Sequence, residues 1–417
     1  MNKMISQREE FNGEIFVPGD KSISHRALIL GAIAEGVTEI EGFLAGEDCL
    51  ATISCLRQLG MKVDINASGS VRVHGKGLRG LSTPNGVLDC GNSGTTARLL
   101  CGLLAGQNFD SVLDGDESLR KRPMARVIEP LRLMGAQITV GGDQGMPLRI
   151  CGSHLRGIHY KMPIYSAQVK TAIILAGLYA DDKTIVEEIN EGLTRNHTEL
   201  MLNHMTENGT LVGKKIVVPG DFSSAAFFIV LGLLKSDKGL VIRNVGLNPT
   251  RTGLLDALRA MGGDIKTQNV QSIWGEDVGD IFVSKSRLNG IVLQGDIVPL
   301  MIDEIPIFAV AAAFAQGETI IKDAAELMLK ESNRIVAMTM ELGKMGVDIA
   351  ATNDGMIIKG AAGGETSPLR GAILDSHGDH RVAMSLAIAA LCADGKSVLH
   401  GAHWANVSFP NFFDIIS

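Results

Sequence analysis

Cations and hydroxyl groups crowd the start of a helix near the beginning of the chain. The segment VPGDKSISHRALILGAIAEG starts at Val17, and its Pro-Gly-Asp turn leads directly into Lys21, Ser22 and Arg26 before an apolar run. Positive side chains are unfavourable at a helix N-terminus, because the backbone dipole is already positive there. A bound anion would compensate for that cost, so the segment predicts an anion-binding site.

Polar, tightly turned segments precede five further apolar helices in the same way. They are LDCGNSGTTAR, PIYSAQVK, PGDFSS, MIDEIP and SHGDHR. Helix N-termini carry backbone N–H groups without intrahelical partners, and these groups bind anions. If the loops lie at equivalent ends of the domains, the sequence predicts a site for a multiply charged anionic ligand.

Each of these motifs also has a purely structural interpretation. GNSGTT lacks the GxxxxGKS frame of a P-loop and could be a simple turn. Asp303 and Glu304 open an apolar segment, so they could cap a helix or supply a general acid or base. DSHGDH has metal-like spacing, but no third cluster of ligands accompanies it, so we expect no metal. We interpret His197 as a supporting residue. Cations recur beside the turns, which favours function over solvated surface charge: Lys21, Arg26, Arg98, Arg122 and Arg381.

Two repeated signatures describe the elements that must position these loops. Apolar helices that close on a glycine start near residues 21, 94, 166, 223, 304 and 380, and the VPGD unit recurs 201 residues after Val17. Amphipathic helices end at a Leu-Gly or Met-Gly step and lead into strands, with glycines suited to the left-handed position after a helix: Gly60, Gly135, Gly262 and Gly346. The signatures predict a strand, helix, strand, helix, strand, strand repeat, used about six times in two groups of three.

The two VPGD segments mark equivalent points in this repeat pattern. We therefore predict an α/β protein whose chain crosses between two similar domains at these segments. The first domain is discontinuous and comprises residues 1–20 and 222–417, and the second comprises residues 21–221.

Composition narrows the possible classes of protein. A chain of 417 residues fits two domains. A net charge of −7 and an aromatic content of 4% disfavour nucleic-acid binding. Six cysteines without a CxxC pair predict free thiols in a reducing compartment. Apolar runs such as AAFFIVLGLL fall short of the roughly 20 residues of a membrane span. With no apolar stretch in MNKMISQREEFNGE, we expect a cytoplasmic protein.

Eight motifs in order along nearly the whole chain resemble the 5-enolpyruvylshikimate-3-phosphate synthase family. They are PGDKSISHRAL, DCGNSGTTARLL, KRPM, SAQVKTA, TRNHTE, IDEIP, LKESNR and GDHRVAM, followed by SFPNFF near the end. The resemblance implies transfer of the enolpyruvyl group of phosphoenolpyruvate to the 5-hydroxyl of shikimate 3-phosphate, with release of phosphate. The expected course is addition and elimination through a tetrahedral intermediate, with no metal or organic cofactor.

The same resemblance implies an architecture and a set of partners. Each of the two domains would hold three βαβαββ repeats in an inverted α/β barrel-like arrangement, with a ligand cleft between the domains that closes over the substrates. The expected partners are the two small-molecule substrates, with no nucleic acid and no membrane, and we expect a monomer.

The resemblance also assigns roles by motif. It implies three catalytic residues, of which Asp303 faces the 5-hydroxyl as acid or base and Glu331 shuttles a proton, while Lys21 contacts both ligands. Shikimate 3-phosphate would be bound by Lys21, Ser22, Arg26, Ser166, Gln168, Asp303 and Lys330. Phosphoenolpyruvate would be bound by Lys21, Gly94, Arg122, Gln168, Arg334 and Arg381, with Arg98 nearby.

The sequence departs from the family pattern at a few positions. Ala167 replaces a common second serine, Asn333 replaces a common aspartate, and Thr194 and Asn196 stand for serine and aspartate. The stretch HWANVSFP lacks the lysine that many relatives carry before the final FP. By the resemblance, Ala167 and the missing lysine would each concern one ligand contact, whereas the central motifs are intact.

Two alternatives remain at the level of sequence. The sister enolpyruvyl transferase that acts on UDP-N-acetylglucosamine shares the fold, but its cysteine-bearing loop would fall within DESLRK, which has no cysteine. A non-catalytic anion-binding protein could use the same scaffold, and the presence of Asp303, Glu331 and the arginines argues against it.

Overall fold

Apolar helices and small mixed sheets make up the chain in the computed structural model, which describes residues 2–141, 145–360 and 368–417. The α-helices in these ranges are α1 Lys21–Ile33, α2 Glu47–Gln58, α3 Gly94–Ala105, α4 Glu117–Arg120, α5 Ala125–Leu133, α6 Ala167–Gly177, α7 His197–Met205, α8 Phe222–Lys235, α9 Gly253–Ala260, α10 Ile297–Met301, α11 Ile305–Ala313, α12 Arg334–Lys344, α13 His380–Cys392 and α14 Phe412–Ile416. Two 3₁₀ helices span Ala325–Leu329 and Ala402–Val407.

Short strands alternate with these helices along the same ranges. They are β1 Lys3–Ser6, β2 Gly13–Phe16, β3 Glu35–Glu41, β4 Lys62–Ile65, β5 Val71–Lys76, β6 Leu88–Asp89, β7 Ser111–Asp114, β8 Gln137–Val140, β9 Leu148–Cys151, β10 His159–Lys161, β11 Ile185–Glu187, β12 Thr206–Glu207, β13 Thr210–Leu211, β14 Lys215–Val217, β15 Leu240–Gly246, β16 Asp264–Ile273, β17 Glu276–Ser284, β18 Val292–Leu293, β19 Gly317–Ile321, β20 Asp348–Ala351, β21 Met356–Gly360, β22 Ile373–Asp375 and β23 Lys396–His400.

One strand arrangement recurs among the sheets. A parallel pair continues into an antiparallel partner and then a fourth strand in β14-β3-β5-β4, β6-β7-β9-β8, β2-β15-β17-β16 and β18-β19-β21-β20. The sheet β22-β23-β1 keeps the parallel pair and its antiparallel partner. The sheet β10-β11 keeps the parallel pair alone. Six of the seven sheets in the described ranges thus share one local pattern, and the antiparallel pair β12-β13 departs from it.

The apolar helices begin where the polar loops predict. The helices α1, α3, α6, α8, α11 and α13 start within one residue of the six predicted positions. Five of the six have a side-chain N-cap, supplied by Asp20, Ser93, Ser166, Asp221 and Asp379. A side-chain oxygen at this position satisfies one of the free backbone N–H groups of the first turn. In these five cases the capping residue marks where the polar loop ends and the apolar helix begins.

The amphipathic helices end as their glycines predict. The helices α2, α5, α9 and α12 stop just before Gly60, Gly135, Gly262 and Gly346, whose φ values are +81°, +100°, +99° and +95°. Residues with a Cβ rarely adopt this backbone conformation, so glycine is favoured there. This prediction is confirmed at all four positions.

The chain divides into two compact units. The first unit comprises Met1–Pro18, Pro219–Ser272 and Asp277–Ser417, and the second comprises Gly19–Val218 and Ile273–Glu276. Each unit has its own hydrophobic core, centred on α8, α11 and α13 in the first and on α1, α3 and α6 in the second. The apolar helices are therefore the core elements of both units.

The turn between β16 and β17 belongs to the second unit, although the body of both strands belongs to the first. Trp274 Nε1 donates to Val217 O over 2.8 Å, and Glu276 pairs with the His197 ring. Both contacts lie within the second unit. The sequence does not predict that residues 273–276 belong to the second unit.

Two further features concern the cysteines and the lengths of the helices. All six cysteines are free thiols, as predicted, and five of them are buried. No helix in the described ranges is both long and apolar enough to span a membrane.

Candidate active site

Lys21 stands at the first position of α1 in the second unit. The preceding Asp20 accepts a hydrogen bond from Ile23 N over 2.8 Å and so caps the helix. Lys21 Nζ donates to Asp48 Oδ2 over 3.1 Å, from the first turn of α2. Its side chain is 18% exposed. The lysine is therefore paired with a carboxylate yet accessible at the helix start.

Arg26 lies one turn further along α1 and is buried. Its Nε donates to Thr198 Oγ1 over 2.7 Å, and its Nη2 donates to Thr171 Oγ1 over 2.8 Å. Its Nη1 donates to the backbone oxygen of Ser22 over 2.9 Å. These bonds orient the guanidinium and connect α1 with α6 and α7. Ser22, predicted as a ligand-binding hydroxyl, is half-buried in the same turn.

A chain of buried polar groups connects the starts of α1, α2 and α3. His25 Nδ1 lies 2.8 Å from Thr52 Oγ1, and Thr52 Oγ1 lies 2.7 Å from Thr96 Oγ1. Burial, reinforced by the neighbouring cations of Lys21 and Arg26, holds the pKa of His25 well below its ordinary value. The imidazole is therefore neutral at physiological pH and serves as a hydrogen-bonding link.

The GNSGTT loop places two arginines around Gly94. A Cβ at this position would lie 3.0 Å from Arg98 Nη1 and 3.2 Å from Arg122 Nη1. Arg122 also donates to the Asn92 side chain, and Arg98 donates to Gln168 Oε1. Glycine therefore lets two guanidinium groups lie closer to the start of α3 than a residue with a Cβ would allow. The structure brings these predicted residues together in the second unit.

Ser166 and Gln168 stand at the start of α6. Ser166 Oγ accepts a long, 3.4 Å bond from Val169 N, so the hydroxyl is only weakly engaged as a cap. Ala167 is the first helical residue, and it offers a methyl group where the family commonly has a hydroxyl. The first turn of α6 therefore presents one serine and one amide to the same region as Arg26 and Arg98.

Asp303 lies among three cations in the first unit. Its Oδ1 is 3.4 Å from Arg334 Nη1 and 3.6 Å from Lys330 Nζ, and its Oδ2 is 3.8 Å from Arg381 Nη2. The Asp303 side chain is 15% exposed. All four residues were predicted from the sequence, and the structure brings them together.

Arg334 is the most deeply buried cation of this group. Its Nε donates to Asp379 Oδ2 over 2.8 Å, and its Nη2 donates to Glu331 Oε2 over 2.7 Å. Burial acts to lower the pKa of Arg334, but the surrounding carboxylates outweigh it and hold that pKa above its ordinary value. Burial likewise acts to raise the pKa of Asp379, and the Arg334 charge holds it below its ordinary value. The pair therefore stays ionised.

Arg381 belongs to the first turn of α13. Its Nη1 donates to the backbone oxygen of Asp303 over 3.1 Å and to Glu304 Oε1 over 3.4 Å. Glu304 is buried and also accepts from the hydroxyl of Ser223, which in turn accepts from Arg251 Nη2 over 2.6 Å. Glu304 occupies the N-cap position of α11 without a side-chain capping bond. The capping interpretation of its side chain is therefore wrong, because the carboxylate is used by arginines.

Several supporting residues were not predicted from the sequence. Asp48, Thr171 and Thr198 hold Lys21 and Arg26, and their only local signal is that they lie in or near polar helix starts. Pairing across separate segments leaves no periodic trace in a sequence, so these partners could not be assigned from it. His197 is buried against Glu276, as expected for a supporting residue.

The DSHGDH motif does not act as a metal cluster in the structure. Asp379 caps α13 and binds Arg334, whereas the His377 ring contacts the Glu341 carboxylate. Within residues 2–141, 145–360 and 368–417, no group of three or more His, Cys, Asp or Glu side chains could hold a metal ion.

The whole chain matches known proteins. The model of the family described as EPSP synthase (3-phosphoshikimate 1-carboxyvinyltransferase) matches residues 5–416. A relative from Thermoanaerobacter sp. (strain X514), named 3-phosphoshikimate 1-carboxyvinyltransferase, is 50% identical over 426 residues, which cover 99% of each chain. A relative of the same name from Bacillus cytotoxicus is 49% identical and covers 98% of each chain.

A solved structure agrees with these relatives. The 2.37 Å structure of EPSP synthase from Acinetobacter baumannii is 45% identical and has a TM-score of 0.87, covering 99% of this chain and 97% of that one. The predicted mixed α/β class and the predicted family are thus confirmed. With matches of this identity along its full length, the chain belongs to the EPSP synthase family.

Proposed function

We propose that the chain transfers the enolpyruvyl group of phosphoenolpyruvate to the 5-hydroxyl of shikimate 3-phosphate and releases phosphate, as a 3-phosphoshikimate 1-carboxyvinyltransferase. One observation carries the proposal: a chain of net charge −7 places the buried cations of its described residues within, or just before, the first two turns of helices. Relatives that are about half identical over the full length, and are named for this activity, support it.

The proposed substrates account for these cations. Each substrate carries a phosphate and a carboxylate, so about four anionic groups must be held close together. In a water-poor site their repulsion would cost several kcal/mol without compensating cations and helix N-termini. This demand explains why the sequence keeps Lys21 and Arg26 in the first two turns of α1, where the helix alone disfavours positive charge.

We assign shikimate 3-phosphate to one set of side chains, which combines cations with small hydroxyls and an amide. Its members are Lys21, Ser22, Arg26, Ser166, Gln168, Asp303 and Lys330. Arg26 is preoriented by two threonines and a backbone oxygen, so little conformational entropy is lost when it binds an oxyanion.

We assign phosphoenolpyruvate to a second set, rich in arginine. Its members are Lys21, Gly94, Arg122, Gln168, Arg334 and Arg381, with Arg98 beside them. Guanidinium groups bind phosphate and carboxylate oxygens in pairs, and Gly94 lets two of them lie close to the start of α3. A side chain at this position would displace them.

The reaction requires a base and a proton carrier. In the addition step, the 5-hydroxyl oxygen bonds to C2 of phosphoenolpyruvate, loses its proton, and C3 gains a proton. In the elimination step, C3 loses a proton and the C2–O bond to phosphate breaks. We assign Asp303 to the hydroxyl proton and Glu331 to the C3 proton, with Lys21 contacting both ligands. These transfers need no metal or organic cofactor.

The arrangement implied by the family is part of this proposal. Two domains of three βαβαββ repeats each would form an inverted α/β barrel-like pair, with the substrates in a cleft that closes over them. We further propose that the enzyme is a cytoplasmic monomer that binds neither nucleic acid nor membranes.

One assay separates this function from its alternatives. Phosphate release from phosphoenolpyruvate should depend on shikimate 3-phosphate and should be absent with UDP-N-acetylglucosamine. The Asp303→Asn variant, purified in the same way, is the control for contaminating activity. Turnover with the nucleotide sugar alone would assign the sister activity. Binding of both anions without phosphate release would indicate a non-catalytic protein.

A further inference from the structure

Glu341 is a fully buried carboxylate in the seventh position after Arg334 on α12. Its oxygens accept from Lys344 Nζ over 2.7 and 2.8 Å and from Asp375 N over 3.0 Å. His377 Nε2 lies 2.8 Å from Glu341 Oε1, and because a carboxylate only accepts, this nitrogen is the donor. A buried carboxylate is costly unless it is paired in this way.

Glu341 fixes the loop that runs from Asp375 to Asp379. The loop carries two consecutive left-handed residues, His377 at φ +52° and Gly378 at φ +72°. A residue with a Cβ is disfavoured in this conformation, so the loop needs contacts that hold it there. The Glu341 carboxylate supplies two such contacts, one to the backbone of Asp375 and one to the His377 ring.

The same loop carries the carboxylate that contacts two arginines. Asp379, its last residue, accepts from Arg334 Nε over 2.8 Å and from the backbone N of Arg381 over 2.8 Å. Arg334 and Glu341 are seven residues apart, which is two helical turns, so both lie on one face of α12. Helix α12 therefore holds the loop at both ends, once through Arg334 and once through Glu341.

We propose that Glu341 is a positioning residue for the binding of phosphoenolpyruvate. It holds the loop through His377 and so sets where Asp379 places Arg334 and Arg381. The inference rests on the proposed function, because it assumes that these two arginines bind phosphoenolpyruvate. Glu341 itself is buried and its oxygens are engaged by protein groups, so we assign it no direct contact with a substrate.

Kinetic constants of single and double variants test this role. Glu341→Gln and His377→Ala should each raise the KM for phosphoenolpyruvate by about tenfold, since small misplacements of binding groups have effects of this order. The KM for shikimate 3-phosphate should change less than about twofold. The double variant should be no worse than the more affected single variant, because both changes break one contact.

Lys344→Met is the matched control. It removes a partner from the same carboxylate but leaves both loop contacts in place, so both KM values should match the parent. An equal rise of both KM values in Glu341→Gln and His377→Ala, or unchanged KM values, would overturn the inference. If Glu341→Gln does not fold, His377→Ala decides alone, since that side chain is 30% exposed.

Arg381→Gln separates this inference from the proposed function. Loss of phosphoenolpyruvate affinity in this variant, without any effect of Glu341→Gln or His377→Ala, would refute the positioning role alone. Unchanged phosphoenolpyruvate affinity in Arg381→Gln would refute the proposed role of the arginine itself.

Discussion

Lys21 and Asp303 are two side chains that we propose contact the ligands, and both carry an electrostatic consequence for the folded chain. Lys21 adds a cation to a helix N-terminus, and Asp303 sits among three cations that the proposed substrates also need. The sequence predicts that Lys21 is unfavourable at the helix N-terminus. It does not predict that Asp48 partly compensates its charge, because the two residues are 27 positions apart. The positions of these charged residues at helix starts were thus predictable from local motifs, whereas their partners could be identified only from the fold.

Replacing Lys21 tests its role as a ligand-binding residue. Lys21→Met should abolish measurable turnover while the thermal unfolding temperature stays nearly unchanged. Removing a cation from the helix N-terminus favours folding by about 0.3–1 kcal/mol, and losing the half-buried pair with Asp48 costs a similar amount. Lys62→Met, at an exposed strand position, is the control and should keep full activity. Retained activity with a large loss of stability would mean that Lys21 is structural.

Replacing Asp303 tests the proposed base. Asp303→Asn keeps the shape of the side chain but cannot accept the 5-hydroxyl proton, so kcat should fall by about 10²–10⁴-fold. Binding of shikimate 3-phosphate, measured by titration calorimetry, should weaken little or even tighten, because a negative charge facing an anion is removed. Turnover within about threefold of the parent would exclude Asp303 as the base and leave Glu331 as the leading candidate.

Helix starts are the elements that the sequence predicts best. The N-caps, the polar loops and the glycines after helices are short-range signals, and they locate α1, α3, α6, α8, α11 and α13 correctly. The contacts that join one helix start to the next are long-range, and the sequence does not predict them. The buried His25–Thr52–Thr96 chain, which connects α1, α2 and α3, is one such contact.

This buried link makes stability depend on pH. The folded-state pKa of His25 lies well below its ordinary value of about 6.5, so below that pH the unfolded chain binds a proton that the folded chain does not. Its contribution to stability is therefore complete above about pH 6.5 and declines as the pH falls, by at most about 1.4 kcal/mol per pH unit.

Urea unfolding of the parent and of His25→Gln at pH 7.5 and 5.5 measures this contribution. The free energy of unfolding of the parent should fall more between these values than that of the variant, whose amide can still bond Thr52 but does not titrate. Equal declines in the two proteins would show that His25 does not limit stability in acid.

Two units with separate cores place the predicted site residues in two groups. Lys21, Arg26, Arg98 and Arg122 belong to the second unit, and Lys330, Arg334 and Arg381 belong to the first. The family motifs predicted both groups, whereas the assignment of residues 273–276 to the second unit was not predictable. That assignment depends on Trp274 and Glu276 meeting Val217 and His197, which no local pattern encodes.

If both groups bind the same two substrates, as proposed, the chain should become more compact when the substrates bind. If closure brings the two sets of cations together, as the proposed shared site requires, their repulsion opposes closure until anions bind. Shikimate 3-phosphate supplies part of the missing negative charge, and an unreactive phosphoenolpyruvate analogue supplies the rest. The radius of gyration from small-angle X-ray scattering should therefore decrease with shikimate 3-phosphate and decrease further when the analogue is added.

Lys21→Met, which should bind neither ligand well, is the control and should show little change. A parent protein whose radius of gyration stays constant with both ligands bound would contradict ligand-driven closure, and each unit would then have to bind its ligands without the other.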